Sequence, residues 1–227
     1  MPTENILTAR SRLQTMIAEI QLETAETQHL TGISRITPEI VSALREIPRD
    51  AFVGPELKYL AYANRPLPVG FGQTVSQPFI VALMTQLLAP KPDHCILEIG
   101  TGSGYQAAIL SRLVRRVISL EIIPELALAA QRRLRSLGIN NVEIHHSDGY
   151  TGWPDNAPYD GIIFTACARD VPPQLIGQLA PEGILVIPTG EPYGSQELQL
   201  IENTDGNGSR SRSILPVVFV PFSRATG

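Results

Sequence analysis

The chain has 227 residues, of which 22 are acidic and 18 basic, for a formal net charge of −4. That length suffices for a full hydrophobic core with an appendage, and the mild acidity argues against a protein that grips nucleic acid through its phosphates, which favours a basic surface. The two cysteines, Cys95 and Cys167, cannot form a disulfide framework, and no Cys/His cluster has the spacing of a zinc site.

The N-terminal residues lack the basic-then-apolar layout of a secretory signal. No stretch approaches the roughly 20 apolar residues that a membrane-spanning helix needs, and the most apolar windows, residues 79–89 and 161–168, have the length of core segments. We therefore expect a cytoplasmic monomer that binds neither a membrane nor nucleic acid.

The first third of the chain is predicted to hold two helices and a connector. Residues 4–30 have an amphipathic pattern that ends near Gly32. Thr37 is the predicted N-cap of a second helix, with Pro38 at its first position and an end near Glu46. The connector, residues 48–78, is rich in Pro and Gly but carries too many Phe, Tyr, Leu and Val residues to be disordered.

From about residue 90 onward, short apolar runs alternate with helical patterns. The predicted strands are residues 94–99, 117–120, 142–146, 159–164 and 183–187, and the predicted helices are residues 105–113, 124–138 and 173–179. This alternation predicts parallel βαβ units and a doubly wound α/β sheet. The turn sequence DGNG at residues 205–208 separates two further strands, 197–201 and 214–222, so we expect the sheet to finish antiparallel.

The first strand of this sheet runs into a glycine-rich loop, GTGSG at residues 100–104. In a dinucleotide-binding loop a third glycine would stand at the position of Tyr105, and the lysine of a phosphate-binding P-loop is also missing. The loop allows a ligand to approach the backbone closely. Its pattern does not favour a ligand held by its phosphates.

Acidic residues stand at the ends of three successive strands: Glu98, Glu121 and Asp148. Carboxylates at these positions suit an amine, the hydroxyls of a ribose and the amino group of an adenine, in that order. A ligand with these three groups and no phosphate is S-adenosylmethionine (AdoMet). Capping of helices or solvation of loops would explain any one of these acids, but explains all three less well. The sequence thus predicts an AdoMet-dependent methyltransferase.

The glycine loop and several motifs beyond it resemble those of the protein-L-isoaspartate O-methyltransferases, which repair damaged aspartyl residues. The matching segments are residues 47–53 (IPRDAFV), 65–78 (RPLPVGFGQTVSQP), 97–108 and 178–183 (QLAPEG). The glycine loop is common to many methyltransferases, whereas the GQTVSQP segment is specific to this family. The resemblance covers nearly the whole chain.

The resemblance implies a single methyltransferase domain over residues 1–227 with a Rossmann-like class I fold. Residues 1–80 would supply N-terminal helices and an active-site loop, 90–190 the AdoMet-binding core, and 195–227 a C-terminal hairpin and the strand of the substrate cleft. The implied reaction is methyl transfer from AdoMet to the free α-carboxyl of L-isoaspartyl residues in damaged proteins and peptides. D-aspartyl residues are a second candidate substrate.

The predicted site follows from these motifs. The resemblance makes Ser76 the active-site hydroxyl and places Val75, Val220 and Pro221 beside the substrate. With Glu98 from the strand-end argument, the predicted cofactor contacts are Gly70, Gln73, Glu98, Gly100, Gly102, Glu121, Asp148 and Gly149. No metal is expected. Because a carboxylate substrate is already ionised at neutral pH, we expect Ser76 to orient it as a hydrogen-bond donor and not to act as a nucleophile.

Two other functions stay open at this point. The chain could methylate a small molecule or another protein residue with the same cofactor domain, or it could be a catalytically silent binding protein that keeps the fold. The intact segment from Gln73 to Ser76 argues against both, because a silent relative would have no chemical reason to retain it.

Overall fold

An N-terminal group of helices packs against an α/β sheet in the computed structural model, which describes residues 8–204 and 208–223. The helices are α1 Ala9–Glu26, α2 Gln28–Thr31, α3 Pro38–Glu46, α4 Pro78–Leu88, α5 Tyr105–Leu110, α6 Pro124–Ser136 and α7 Pro173–Ile176. The strands are β1 Leu67–Gly70, β2 Gln73–Val75, β3 Cys95–Ile99, β4 Arg116–Glu121, β5 Val142–His146, β6 Tyr159–Phe164, β7 Leu179–Gly190, β8 Gln196–Thr204 and β9 Gly208–Val217. Within the described ranges, no helix is long and apolar enough to cross a bilayer.

The N-terminal helices follow the predicted pattern with two differences. The predicted first helix is interrupted at Thr27, so α1 and α2 are separate, and α2 ends at Gly32, whose φ of +75° suits a helix end. Its predicted start at residue 4 lies outside the described residues. Pro38 opens α3 as expected, but the Thr37 side chain forms no capping hydrogen bond.

The proline-rich connector is ordered, as predicted. It contains two short 3₁₀ helices, Arg49–Phe52 and Pro55–Leu60, followed by a hairpin of β1 and β2. Three successive residues at its turn, Gly70, Phe71 and Gly72, have positive φ values of 91°, 53° and 69°. Glycine adopts this region freely, whereas Phe71 is held in it at a cost. The hairpin leads directly through Ser76 into α4.

The main sheet has the strand order β5-β4-β3-β6-β7-β8-β9, in which the first five strands are parallel and the last two antiparallel. The predicted doubly wound sheet with an antiparallel finish is thus confirmed. From β3 the chain first builds outward through β4 and β5 and then returns to the other side of β3 with β6. Ligands of such sheets bind beyond the carboxyl ends of the strands at this point of reversal.

The core lies on both faces of this sheet. Every residue of β3 is buried, as expected for a central parallel strand covered by helices on both sides. One apolar cluster joins the N-terminal helices and α4 to α5 and one face of the sheet. A second cluster fills the other face beneath α7. The N-terminal helices are therefore fixed relative to the strand ends.

The predicted C-terminal strand, residues 214–222, is wrong at both ends. The strand β9 starts earlier, at Gly208, and ends at Val217. Beyond it, the Gln196 side chain takes the place of a strand partner: its Nε2 donates to Phe219 O at 3.1 Å, and Phe219 N donates to its Oε1 at 2.6 Å. The chain then runs beside Cys167, with Cys167 N donating to Val220 O. This path brings the segment across the strand ends.

Candidate active site

A cavity of about 440 Å³ opens at the carboxyl ends of β3, β4 and β6, within the size range of small-molecule sites. The connector, the strand ends, the C-terminal segment and α1 all contribute to its wall. Its lining includes Gln73, Thr74, Ser76, Gln77, Gly100, Gly102, Glu121, Thr165, Leu215, Val217, Val218, Phe219, Val220, Glu23 and Thr27. Six of the predicted site residues therefore share one cavity: Gln73, Ser76, Gly100, Gly102, Glu121 and Val220.

The connector presents Ser76 at the cavity wall. Its hydroxyl has no hydrogen-bond partner in the described part of the chain, while its carbonyl oxygen accepts from Arg49 Nη2 at 2.7 Å. Arg49 is fully buried, donates to Ala61 O through Nε at 2.8 Å, and lies over the Tyr105 ring at 4.8 Å from its centroid. The backbone of Ser76 is thus anchored while its hydroxyl stays available to a ligand.

The glycine loop follows β3 and is tied to the end of β4. Glu121 accepts from Gly102 N at 2.7 Å and from Ile123 N at 2.9 Å, so each carboxylate oxygen already has one backbone donor. Each oxygen keeps further acceptor capacity. Glu121 therefore both fixes the loop and lines the cavity, where it can accept from hydroxyl groups.

Glycine at Gly100 and at Gly102 has different structural consequences. Gly100 has φ +95°, and a Cβ there would collide with Thr165 Oγ1. Gly102 has φ +52°, but no atom lies within 4 Å of the position that its Cβ would take. The backbone of Gly102 is therefore open to close approach by a ligand.

Glu98 lies beneath the glycine loop, outside the set of residues that line the cavity. It is fully buried and accepts a short hydrogen bond from the Ser119 hydroxyl, which lies 2.5 Å from Thr101 Oγ1. Burial raises the pKa of Glu98 to about 8, more than the Ser119 hydrogen bond lowers it. This placement argues against the predicted direct contact with an amine, because the carboxyl is sealed off from the cavity. Glu98 instead supports the loop from below, through Ser119 and Thr101.

Asp148 and Pro221 line a second, smaller pocket of about 40 Å³. This pocket shares Gln73 and Gly100 with the main cavity, so the two form neighbouring parts of one site. Gly149 lines neither pocket. A Cβ on it would lie 2.8 Å from the Ile99 side chain, so glycine lets this loop pack on β3.

Two other predicted residues lie behind the site. Val75 is buried and lines a small cleft of about 30 Å³ next to Ser76 and Gly100. Gly70 stands at the hairpin turn and lines none of these pockets. Their contribution is to the shape of the connector more than to contact within the cavity.

Sequence reasoning missed several residues of the site. Arg49 stands in the IPRDAFV motif, which could have pointed to it. Thr165 follows β6 and donates to Gly100 O, and strand-end position was its only signal. Glu23 lies on α1 and Thr27 directly follows that helix, and nothing in their local sequence marks them as part of a site on another layer of the fold.

The charged side chains in the described wall of the cavity are all acidic. Two carboxylates, Glu23 and Glu121, line it, and no Lys, Arg or His is among the described residues of its wall. Such a wall suits a ligand with positive charge and disfavours phosphates. Nor do the described residues contain a group of three or more His, Cys, Asp or Glu side chains that could hold a metal ion.

Comparison with known proteins places this fold and site in context. The profile of the family described as protein-L-isoaspartate(D-aspartate) O-methyltransferase matches residues 26–227. A protein-L-isoaspartate O-methyltransferase 2 from Syntrophobacter fumaroxidans is 47% identical over 208 residues, which cover 92% of this chain and 84% of the relative. One from Polaromonas sp. is 48% identical over 209 residues, or 92% of this chain and 99% of the relative.

Two solved structures with the same family description as these relatives also match the fold of this chain. A protein-L-isoaspartate O-methyltransferase superposes with a TM-score of 0.80 at 28% identity, covering 95% of this chain and 66% of that chain. A Plasmodium falciparum protein of the same description, solved with S-adenosyl-L-homocysteine, has the same fold, with a TM-score of 0.73 at 23% identity and coverage of 91% and 98%. The chain belongs to the protein-L-isoaspartate(D-aspartate) O-methyltransferase family.

Proposed function

We propose that this chain transfers a methyl group from AdoMet to the free α-carboxyl of L-isoaspartyl residues in damaged proteins and peptides. The observation that carries this proposal is that the Ser76 hydroxyl and the glycine loop open into one cavity. A methyl donor at the loop and a carboxylate at Ser76 would then be neighbours. Family membership supplies the substrate class.

The residues present fit AdoMet. Glu121, at the end of β4, has acceptor capacity left for ribose hydroxyls, and Gly102 leaves its backbone open to the ligand. Asp148 lines the adjoining pocket, where it can accept from an adenine amino group. The carboxylates of the wall favour a ligand that carries positive charge on its sulfonium and ammonium groups.

When bound, AdoMet supplies a methyl group on a sulfonium, and transfer breaks the S–C bond while a C–O bond forms to the substrate. A carboxylate is ionised at neutral pH and needs no general base. What the chain must do is align the carboxylate and keep water out, since the transfer removes a positive and a negative charge. We assign the alignment to Ser76, whose free hydroxyl can donate to the carboxylate.

The product ester has its own chemistry. The neighbouring backbone nitrogen attacks the ester carbonyl and expels methanol, which gives a succinimide. Hydrolysis of the succinimide returns some normal aspartate. Repair therefore needs only the methyl transfer from the protein.

We also propose a division of labour along the chain within one domain. Residues 1–80 present Ser76, residues 90–190 bind AdoMet, and residues 195–227 close the substrate cleft around Val220 and Pro221. The contribution of the C-terminal segment and of α1 to the cavity wall supports this division.

The test is incubation with methyl-labelled AdoMet and a pair of peptides that differ only in having an isoaspartyl or an aspartyl residue. We expect base-labile label on the isoaspartyl peptide alone. Label on neither peptide would contradict the proposal, and base-stable label would favour a methyltransferase with a different acceptor. A matched D-aspartyl peptide decides whether that residue is also a substrate.

A further inference from the structure

Glu23 is a cavity residue to which the proposed reaction assigns no specific contact. It stands on α1 and lines the cavity together with Thr27, the residue that follows the end of the helix. The family profile matches from residue 26 onward, so Glu23 lies before the matched segment. A role for this side chain therefore has to be argued from its surroundings in this chain.

The Glu23 carboxylate is held in a fixed position beside Ser76. Asn64 Nδ2 donates to its Oε2 at 2.7 Å, and Gln77 Nε2 donates to Oε1 at 3.2 Å and to Oε2 at 3.0 Å. Asn64 is itself fixed, because its Oδ1 accepts from Phe79 N at 2.9 Å. Since Gln77 directly follows Ser76, the carboxylate belongs to the part of the cavity where the methyl acceptor is proposed to bind.

The charge of Glu23 is not balanced by any cation of the described residues. Among residues 8–204 and 208–223, no Lys, Arg or His lies within ion-pair distance of it, and its hydrogen-bond donors are neutral amides. Partial burial and the like charges of Glu26 and Glu19 raise its pKa. A half-buried carboxylate in this situation is stabilised most by a positively charged group that enters the cavity.

We infer that Glu23 determines substrate preference, by favouring isoaspartyl substrates that carry a cationic group next to the damaged residue. The inference rests on the proposed function. A lysine or arginine side chain beside the isoaspartyl residue would pair with Glu23, whereas an acidic neighbour would be repelled. Substrates with neutral neighbours are still methylated, so Glu23 changes the relative efficiency of substrates without excluding most of them.

The test uses isoaspartyl peptides that differ only in the residue flanking the damaged one, which is Lys, Gln or Glu, placed on either side in turn. At low ionic strength we expect kcat/KM to fall in the order Lys, Gln, Glu, with a Lys-to-Glu ratio of about fivefold on the preferred side, as for a partly exposed ion pair. In Glu23→Gln this ratio should fall to near one. The control is Glu39→Gln, an exposed position on α3 that does not line the cavity, and it should keep the native ratio.

The Lys-to-Glu ratio of kcat/KM distinguishes a role in substrate preference from a structural role. A variant whose site is merely distorted would methylate all three peptides more slowly by the same factor. A ratio that is unchanged in Glu23→Gln, or that is already near one in the native protein, would overturn the inference. A weaker AdoMet Kd with an unchanged ratio would assign Glu23 to the cofactor's ammonium group instead. Failure to methylate any of the peptides would overturn the proposed function itself.

Discussion

At the scale of single residues, the proposed alignment of the substrate rests on the Ser76 hydroxyl. It has no partner within the described residues, so its removal by Ser76→Ala leaves no unsatisfied group in the protein. We expect kcat/KM for an isoaspartyl peptide to fall roughly tenfold to hundredfold, the loss of one hydrogen bond to a charged group. The AdoMet Kd, measured by calorimetry, should stay unchanged. A large loss of AdoMet affinity would contradict this role.

Arg49 shows how a buried residue can shape the site without touching it. It donates to the carbonyl oxygens of Ala61, Ser76 and Arg65, and Arg49→Met would leave these acceptors unsatisfied. We expect the free energy of unfolding in urea to fall by about 3 kcal/mol, and kcat/KM to fall with it. The control Arg45→Met changes an exposed arginine of α3 whose side chain forms no hydrogen bond or ion pair within the described residues, and should alter stability by less than about 0.5 kcal/mol. Equal stability of the two variants would refute the anchoring role.

Glu98 gives the fold a specific dependence on pH. Burial raises its pKa from an ordinary 4.5 to about 8, and the like charge of Glu121 adds to this. Between these pH values the folded state therefore holds a proton that the unfolded state has released. The stability from the protonated carboxyl is fully present below about pH 4.5 and is lost as the pH rises towards about 8.

The variant Glu98→Gln isolates this contribution, since its amide has nearly the same shape and does not titrate. The free energy of unfolding of the native protein minus that of the variant should decline steadily across that pH interval. Urea unfolding at several pH values measures it. A difference that does not change with pH would show that Glu98 is ionised in the folded protein.

At the scale of elements, substitutions at the two positions of the glycine loop should affect stability and ligand binding to different extents. In Gly102→Ala the new methyl group meets no protein atom. We therefore expect the free energy of unfolding to fall by only about 1 kcal/mol, because alanine is strained at this positive φ. Because Gly102 lines the cavity, the AdoMet Kd of this variant should nonetheless rise by about tenfold or more. Gly100→Ala also collides with Thr165 and should lose about 1–3 kcal/mol more stability. Calorimetry and thermal unfolding distinguish the two, and native AdoMet affinity in Gly102→Ala would contradict the assignment.

The elements that could be predicted from sequence are those whose pattern is local. The bounds of β5 and β6 agree with the prediction because each is an apolar run that ends at turn residues. The β1–β2 hairpin was not predicted, since its short strands and three left-handed turn residues leave no periodic pattern. The strand end at Val217 was also missed, because it depends on the distant side chain of Gln196.

In the site, too, only the residues that a local pattern marks could be predicted from the sequence. Ser76, Gly100 and Glu121 could be predicted because motif and strand-end position mark them, and the structure brings them into one cavity. Glu98 is equivalent to Glu121 in the sequence pattern, yet it is fully buried and does not line the cavity. Glu23 reaches the cavity only because α1 packs on α4, which no local pattern records.

At the scale of the whole molecule, the overall charge of −4 says little about the substrate. What matters is its local distribution: carboxylates line the cavity and no cation is found among its described wall residues. A repair enzyme that accepts many damaged proteins needs to recognise one backbone geometry, and we propose that the anchored Ser76 is the fixed point for this recognition. The N-terminal helices, the sheet and the C-terminal segment must all be in place for that cavity to exist.

The most direct test of this account is a time course by mass spectrometry of a purified isoaspartyl peptide with the protein and AdoMet. We expect that the methyl ester appears first, that the succinimide follows, and that the aspartyl peptide then accumulates, while the matched aspartyl peptide stays unmodified. Ser76→Ala should slow the first step alone. An isoaspartyl peptide that remains unmodified, or methylation of both peptides at equal rates, would contradict the account.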